Sequence, residues 1–266
     1  MIPLKDYNPT RRFAFVTLLI ILVCIGIYVL VQPVGRAPLF ESDPQKSNAT
    51  MSKEIQFDLE HAAIPCEVIH NRPLTVPEAT RTFNQNDTTA CSSRPEGPPV
   101  DPNKNVYLAV LYSMFLHGSW LHLLGNMLFL WVFGNNIEDL FGPLRYIAFY
   151  LAAGLVAAAA HIAVQPNSTV PIVGASGAIA GVMGAYLVLF PNVRIRSLIF
   201  LGFFLFFRDI SAKWLLGFWF VLQFFTGPNS GVAWMAHVGG FVFGVLVALA
   251  FKAATRGEYR QPAPSI

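Results

Sequence analysis

From Tyr146 to Phe190 the chain carries no Asp, Glu, Lys or Arg. An ordinary soluble domain has roughly a quarter of its residues charged, so an uncharged stretch of this length points to lipid. A bilayer core is crossed by about 20 mostly apolar residues coiled into a helix, which satisfies its own backbone groups without water. The turn "QPNSTVP" at 165–171 divides the stretch into two such segments, 146–164 and 173–190. Whole-chain composition agrees, with 54% hydrophobic and 12% charged residues. The net charge of +3 is small, and the basic residues form no stripe interleaved with aromatics. Nucleic acid is therefore not an expected partner.

Further apolar runs cover 13–31, 106–133, 214–225 and 232–251. The first follows Lys5, Arg11 and Arg12, which hold residues 1–12 in the cytoplasm. It is longer than the apolar core of a signal peptide and is read as an uncleaved anchor. The last precedes Lys252, Arg256 and Arg260, so 252–266 is expected to be a cytoplasmic tail. Two cytoplasmic ends require an even number of spans. The eleven-residue run "SLIFLGFFLFF" at 197–207 is too short to cross and is read as an interfacial or re-entrant stretch. "GNNIEDLFGPLR" reads as a polar connection between spans two and three. The expected fold is an all-α membrane protein with six transmembrane helices, in a bacterial plasma membrane. Residues 32–105, rich in Pro, Asn, Thr and charge, form a long extracytoplasmic loop in this reading. His61 and His70 are solvated there. An oxidising compartment permits a disulfide between Cys66 and Cys91; the alternative is two free thiols.

Polar groups inside a membrane are costly and mark candidate functional sites. Ser176 lies near the outer end of span four, and His237 near the outer end of span six. His117, His122 and Asn126 fall in the outer half of span two. Gly177 and Gly181, with Gly184 one turn on, give span four a face of small residues. Gly240 and Gly244 do the same for span six, and small residues at this spacing let helix backbones approach closely. If the two faces meet, Ser176 and His237 share one end of the contact. An imidazole can then take the proton of the serine hydroxyl and make it a nucleophile. With no buried carboxylate to orient His237, the arrangement is a dyad. His122 and Asn126, at i and i+4, can offer donors to an oxyanion, and the Ser176 N–H can add another. Taken one at a time, each group also has a structural reading. A lone serine bonds to its own helix, and a lone His or Asn joins two helices. His161 is read as structural.

These motifs resemble the rhomboid family of intramembrane serine proteases. "GASG" at 174–177 matches the G-x-S-G around that family's nucleophile, "HGSWLHLLGN" at 117–126 its H-x-x-x-N pattern, and "AHVGGFVFG" at 236–244 its histidine helix. The resemblance covers the catalytic core, 106–251. It implies a six-helix bundle with a water-filled cavity, and substrates that are membrane proteins cut in or near a transmembrane segment. It makes Ser176 the nucleophile and His237 the base. It places His122, Asn126 and Gly174 at the oxyanion region, with His117 in support. Ala180 stands where some members carry a tyrosine against the histidine, so another group has to hold His237. No cofactor is implied. A metalloprotease reading fails for want of H-E-x-x-H and of an intramembrane carboxylate. The remaining alternative is a catalytically silent relative that binds or escorts membrane clients.

Overall fold

The computed structural model describes residues 1–33, 52–201, 204–226 and 232–255. Arg256, Arg260 and most of the expected tail lie outside them, as does the start of the expected loop. In chain order the elements are β1 (Ile2–Asp6), α1 (Phe15–Gly26) continued by a π-helical turn (Ile27–Val31), α2 (Lys53–His61), α3 (Pro65–His70), α4 (Val76–Asn84), α5 (Val106–Ser113), α6 (Trp120–Phe141), α7 (Pro143–Val164), α8 (Ser176–Leu189), β2 (Arg194–Leu201), β3 (Phe204–Ser211), α9 (Ala212–Gln223) and α10 (Trp234–Ala254). The chain is mostly helical. Among the described residues, α7 and α10 are long and apolar enough to cross a bilayer on their own. Phe15–Val31 and α8 are apolar but shorter. The elements divide into two compact units, one of Met1–Leu22, Leu124–Ala157 and Ser176–Ile266, the other of Val23–Leu123 and Ala158–Ala175.

In the first unit, α7, α8 and α10 meet along one seam of small residues. A Cβ built on Gly177 would stand 2.6 Å from the Cβ of Ala157, and one on Gly181 would stand 2.6 Å from that of Ala153. A Cβ on Gly240 would run into the Gly177 carbonyl and stand 3.4 Å from the Ala157 Cβ, and one on Gly244 would run into the Gly181 carbonyl. The pairs 177–240 and 181–244 advance together, so α8 and α10 run parallel, whereas α7 runs antiparallel to α8. Backbone-to-backbone contact of this kind gains dispersion over many atoms, which is how helices associate where lipid and side chain are equally apolar. The two glycine faces lie against each other, and Ala153 and Ala157 of α7 pack into the same seam, a contribution the sequence reading did not assign.

Three expectations need correction in this unit. "GNNIEDLFGPLR" is largely helical: α6 runs on through Asn135, Asn136, Glu138 and Asp139 to Phe141. It breaks at Gly142, whose φ of +78° suits glycine, and Pro143 opens α7. The polar side chains are tolerated because the N-terminal segment takes up their bonds. Glu138 accepts from the backbone N–H groups of Val16 (2.8 Å) and Thr17 (2.7 Å) and from the Thr17 hydroxyl (2.7 Å), capping the start of α1 with a negative charge. Asp139 accepts from the N–H groups of Arg11 (3.0 Å) and Arg12 (2.9 Å). Asn136 donates to Asp6 and accepts from Asn8, and the Tyr186 hydroxyl donates to Asp6 at 2.9 Å. Burial pushes the Asp6 carboxyl up to about 6, against the pull of the Tyr186 and Asn136 bonds.

Second, 197–207 is not a lone interfacial stretch. Its described residues fall in the antiparallel pair β2 and β3, and β1 adds to it in the order β1-β2-β3, antiparallel throughout, with Ile2 opposite Leu198 and Arg194 opposite Ser211. An all-α description therefore omits a three-stranded sheet. Third, span four begins as a helix only at Ser176, and at 14 residues α8 rises about 21 Å.

In the second unit, residues 52–105 of the region expected to be a loop are folded. Ser52 caps α2, and Thr75 with Glu78 forms a capping box on α4. Leu59, Ile64, Cys66, Leu74 and Ala79 make a small core, backed by Ile55, Phe83, Cys91 and Val100. The buried Lys104 ammonium donates to the carbonyls of Leu59 (2.6 Å) and Ala62 (2.7 Å) and pairs with Glu67 at 2.6 Å. Burial works against ionising Glu78. The two-pronged Arg72 guanidinium and the N–H groups of Thr75 and Ser92 outweigh it, and hold that carboxyl at about 2. His61 stacks on Phe57, with ring centroids 4.2 Å apart, and His70 ends α3 exposed. The continuous run 106–133 is likewise broken. α5 stops at Ser113 and α6 starts at Trp120, where the Ser119 hydroxyl accepts from the His122 N–H at 3.1 Å.

Cys66 and Cys91 form a disulfide across a sequence separation of 25. A core this small depends on such a staple. Replacing both cysteines by alanine is expected to cost about 3 kcal/mol, mainly by freeing the unfolded loop. Limited proteolysis reads this out: cleavage within 52–105 should accelerate strongly in the double variant, whereas an unchanged rate would show that the core holds without the bond.

Candidate active site

Ser176 is the first residue of α8, and it gets there through a tight approach. Gly174 adopts φ +127°, a conformation that L side chains rarely take, and its N–H donates to the Ser113 carbonyl at 2.9 Å. That glycine makes the turn that lets the chain enter the helix with a serine at its N-terminus. There the first backbone N–H groups have no acceptor within the helix.

Ser176 and His237 are brought together. The Ser176 Oγ is 2.8 Å from His237 Nε2, and both residues are half-buried. The parallel alignment of α8 and α10 is the cause: Ser176 precedes Gly177 by one residue and His237 precedes Gly240 by three, so closing the glycine faces puts both side chains at one end.

The group that holds His237 is one the sequence reading did not find. Gln223, at the end of α9 and only 7% exposed, places its Oε1 2.7 Å from His237 Nδ1. Its Nε2 donates to the Trp219 carbonyl at 2.9 Å. The Trp219 ring lies beside the imidazole, with centroids 5.7 Å apart. Two residues of α9 thus contact the imidazole. The available signal was that Gln223 is the single uncharged amide in "WLLGFWFVLQFF".

His117 and His122 form a second pairing, in the other compact unit, with ring centroids 5.2 Å apart. His117 is fully buried and held at its backbone. Its N–H donates to Gln32 Oε1 (2.9 Å), and its carbonyl accepts from Gln32 Nε2 (3.1 Å). Asn126 lies one turn beyond His122 on α6, and its Nδ2 is buried with no partner among the described residues. A buried donor left unpaired costs about 1–3 kcal/mol, so its retention calls for a reason. His161 is buried in α7.

The family model for the rhomboid domain matches residues 104–254. The chain is 33% identical over 150 residues to the Rhomboid protease GluP of Bacillus subtilis, covering 56% of this chain and 27% of that protein. It is 32% identical over 143 residues to the human Presenilin-associated rhomboid-like protein, mitochondrial, covering 51% of this chain and 36% of that protein. It is 30% identical over 97 residues to Rhomboid protein 1, mitochondrial, of Saccharomyces cerevisiae, covering 35% of this chain and 28% of that protein. The chain thus spans about a third or less of the length of these relatives. Two of the three are mitochondrial by name, which runs against the expectation of a bacterial plasma membrane.

Proposed function

The chain belongs to the rhomboid family, and from that premise we propose that it is an intramembrane serine endopeptidase acting through Ser176 and His237. The observation that carries this reading is the 2.8 Å approach of Ser176 Oγ to His237 Nε2 at the end of two helices in backbone contact. Ser176 attacks a substrate carbonyl carbon while His237 Nε2 takes the hydroxyl proton. The imidazolium then gives that proton to the departing amine as the C–N bond breaks, which leaves an acyl-enzyme on Ser176. Water, deprotonated by the same nitrogen, hydrolyses the ester and restores the serine.

The developing oxyanion requires donors. The Ser176 N–H at the start of α8 is one. We assign the supporting role to Asn126, whose buried amide lacks a partner among the described residues. The H-x-x-x-N motif pairs Asn126 with His122, one turn earlier on α6, and the resemblance gives His117 a supporting place. Gly174 serves by letting the backbone bend where the substrate must approach. The chain is a membrane protein, and in this reading six segments span it, with both basic ends on one side. Substrates are proteins with a transmembrane segment that can unwind locally, because an amide inside an intact helix is shielded from attack.

The test is cleavage of a single-span model substrate by the purified protein in proteoliposomes. Wild type should produce two fragments and Ser176→Ala none. Capture of the substrate by wild type without cleavage would instead favour the silent, client-binding alternative.

A further inference from the structure

A serine–histidine pair works only if the imidazole presents a lone pair, not an N–H, to the hydroxyl. In a neutral imidazole the two nitrogens exchange these roles, and nothing in a bare dyad chooses between them. The structure supplies a choice. The Trp219 carbonyl can only accept, so the amide nitrogen of Gln223 must be the end that faces it, at 2.9 Å. This fixes the amide orientation and turns Oε1 toward His237 Nδ1, at 2.7 Å. An amide oxygen can only accept as well, so Nδ1 carries the proton. Nε2 is then the acceptor facing Ser176 Oγ at 2.8 Å. The chain of bonds runs from the α9 backbone through one amide and one ring to the hydroxyl, and each link has a single permitted direction.

We infer that Gln223 is the positioning residue of the pair: it holds His237 in the Nδ1–H tautomer with Nε2 aimed at Ser176, a neutral counterpart of the carboxylate in a serine triad. This rests on the protease reading above and extends it, since a motif-based assignment contains two residues and no orienting partner. Gln223 does not touch the reacting atoms. Its contribution is to remove the unproductive tautomer and to hold the ring plane, while the imidazolium formed during the reaction keeps its Nδ1–H satisfied.

The experiment measures the rate at which a fluorophosphonate acylates Ser176, as a function of pH, in the full-length protein in detergent. Wild type, Gln223→Met, Gln223→Glu and Ser176→Ala are compared, with thermal stability recorded alongside. Methionine fills the volume without an acceptor. Its rate should fall about 10- to 100-fold at the pH optimum, a smaller loss than follows removal of a charged orienting group. Glutamate keeps an acceptor for the Nδ1 proton but gives up the bond to the Trp219 carbonyl, so it should recover part of the rate at high pH. Its negative charge favours the protonated imidazole, which cannot act as a base, so the acidic limb of the profile should move to higher pH. A merely structural role would change stability and leave both rate and limb in place. Wild-type rates and an unshifted profile in both folded variants would overturn the role of Gln223 alone. Failure of wild type to label at Ser176 would overturn the protease reading, and this inference with it.

Discussion

His237→Ala is expected to lower turnover of a transmembrane substrate by roughly 10³- to 10⁶-fold, the range seen when the base of a serine–histidine unit is removed. The hydroxyl of Ser176 would remain in place but would have no acceptor of suitable basicity at 2.8 Å. The fold should survive. His237 is half-buried, and the contact between α8 and α10 is made by glycines further along the helices. Single-turnover cleavage together with a melting curve separates the two effects. Large loss of rate with a small change in melting is the expected pair of results. Retention of activity within tenfold would mean that another group takes the proton.

The second large effect concerns packing. Gly244→Ala adds one methyl group, and its Cβ would fall inside the Gly181 backbone. Neither atom belongs to a flexible side chain that can turn away, so α8 and α10 must separate or shear. The stability loss should be about 1–3 kcal/mol, the usual range for overpacking. Activity should suffer more than stability, because a displacement of about 1 Å at the reacting groups can cost about a hundredfold. Gly217→Ala is the matched control, since a Cβ on that residue of α9 meets nothing within 4 Å. Equal behaviour of the two variants would show that the close contact is not what aligns Ser176 with His237.

Legibility in the sequence followed the range of the signal. Ser176, His237 and the glycines of α8 and α10 could be read because each lies within one helix turn of its motif, and because fourfold spacing of small residues has one main use in a membrane. Gln223 could not be read from spacing. Its partner is on another helix, and a lone amide in an apolar run has several possible roles. The β2–β3 pair escapes a reading of the sequence because an unbroken apolar run shows no period-two alternation, and because the third strand of the sheet, Ile2–Asp6, comes from the other end of the chain. The folded region 52–105 was hidden by its composition. Pro, Asn and Thr suggest a loop, yet Thr75 and Glu78 are three apart in front of a helix and spell a capping box. The polar end of α6 reads as a connection in the sequence because the N-terminal groups that satisfy Glu138, Asp139 and Asn136 are more than a hundred residues away.

The proposed mechanism requires that one serine be activated by one histidine across the α8–α10 contact. Mass spectrometry of the protein after exposure to a fluorophosphonate separates this from the alternatives. Wild type should carry a single adduct on the peptide containing Ser176, and His237→Ala should acquire almost none over the same time. An adduct that forms equally fast without His237, or that appears on Ser176→Ala, would contradict it.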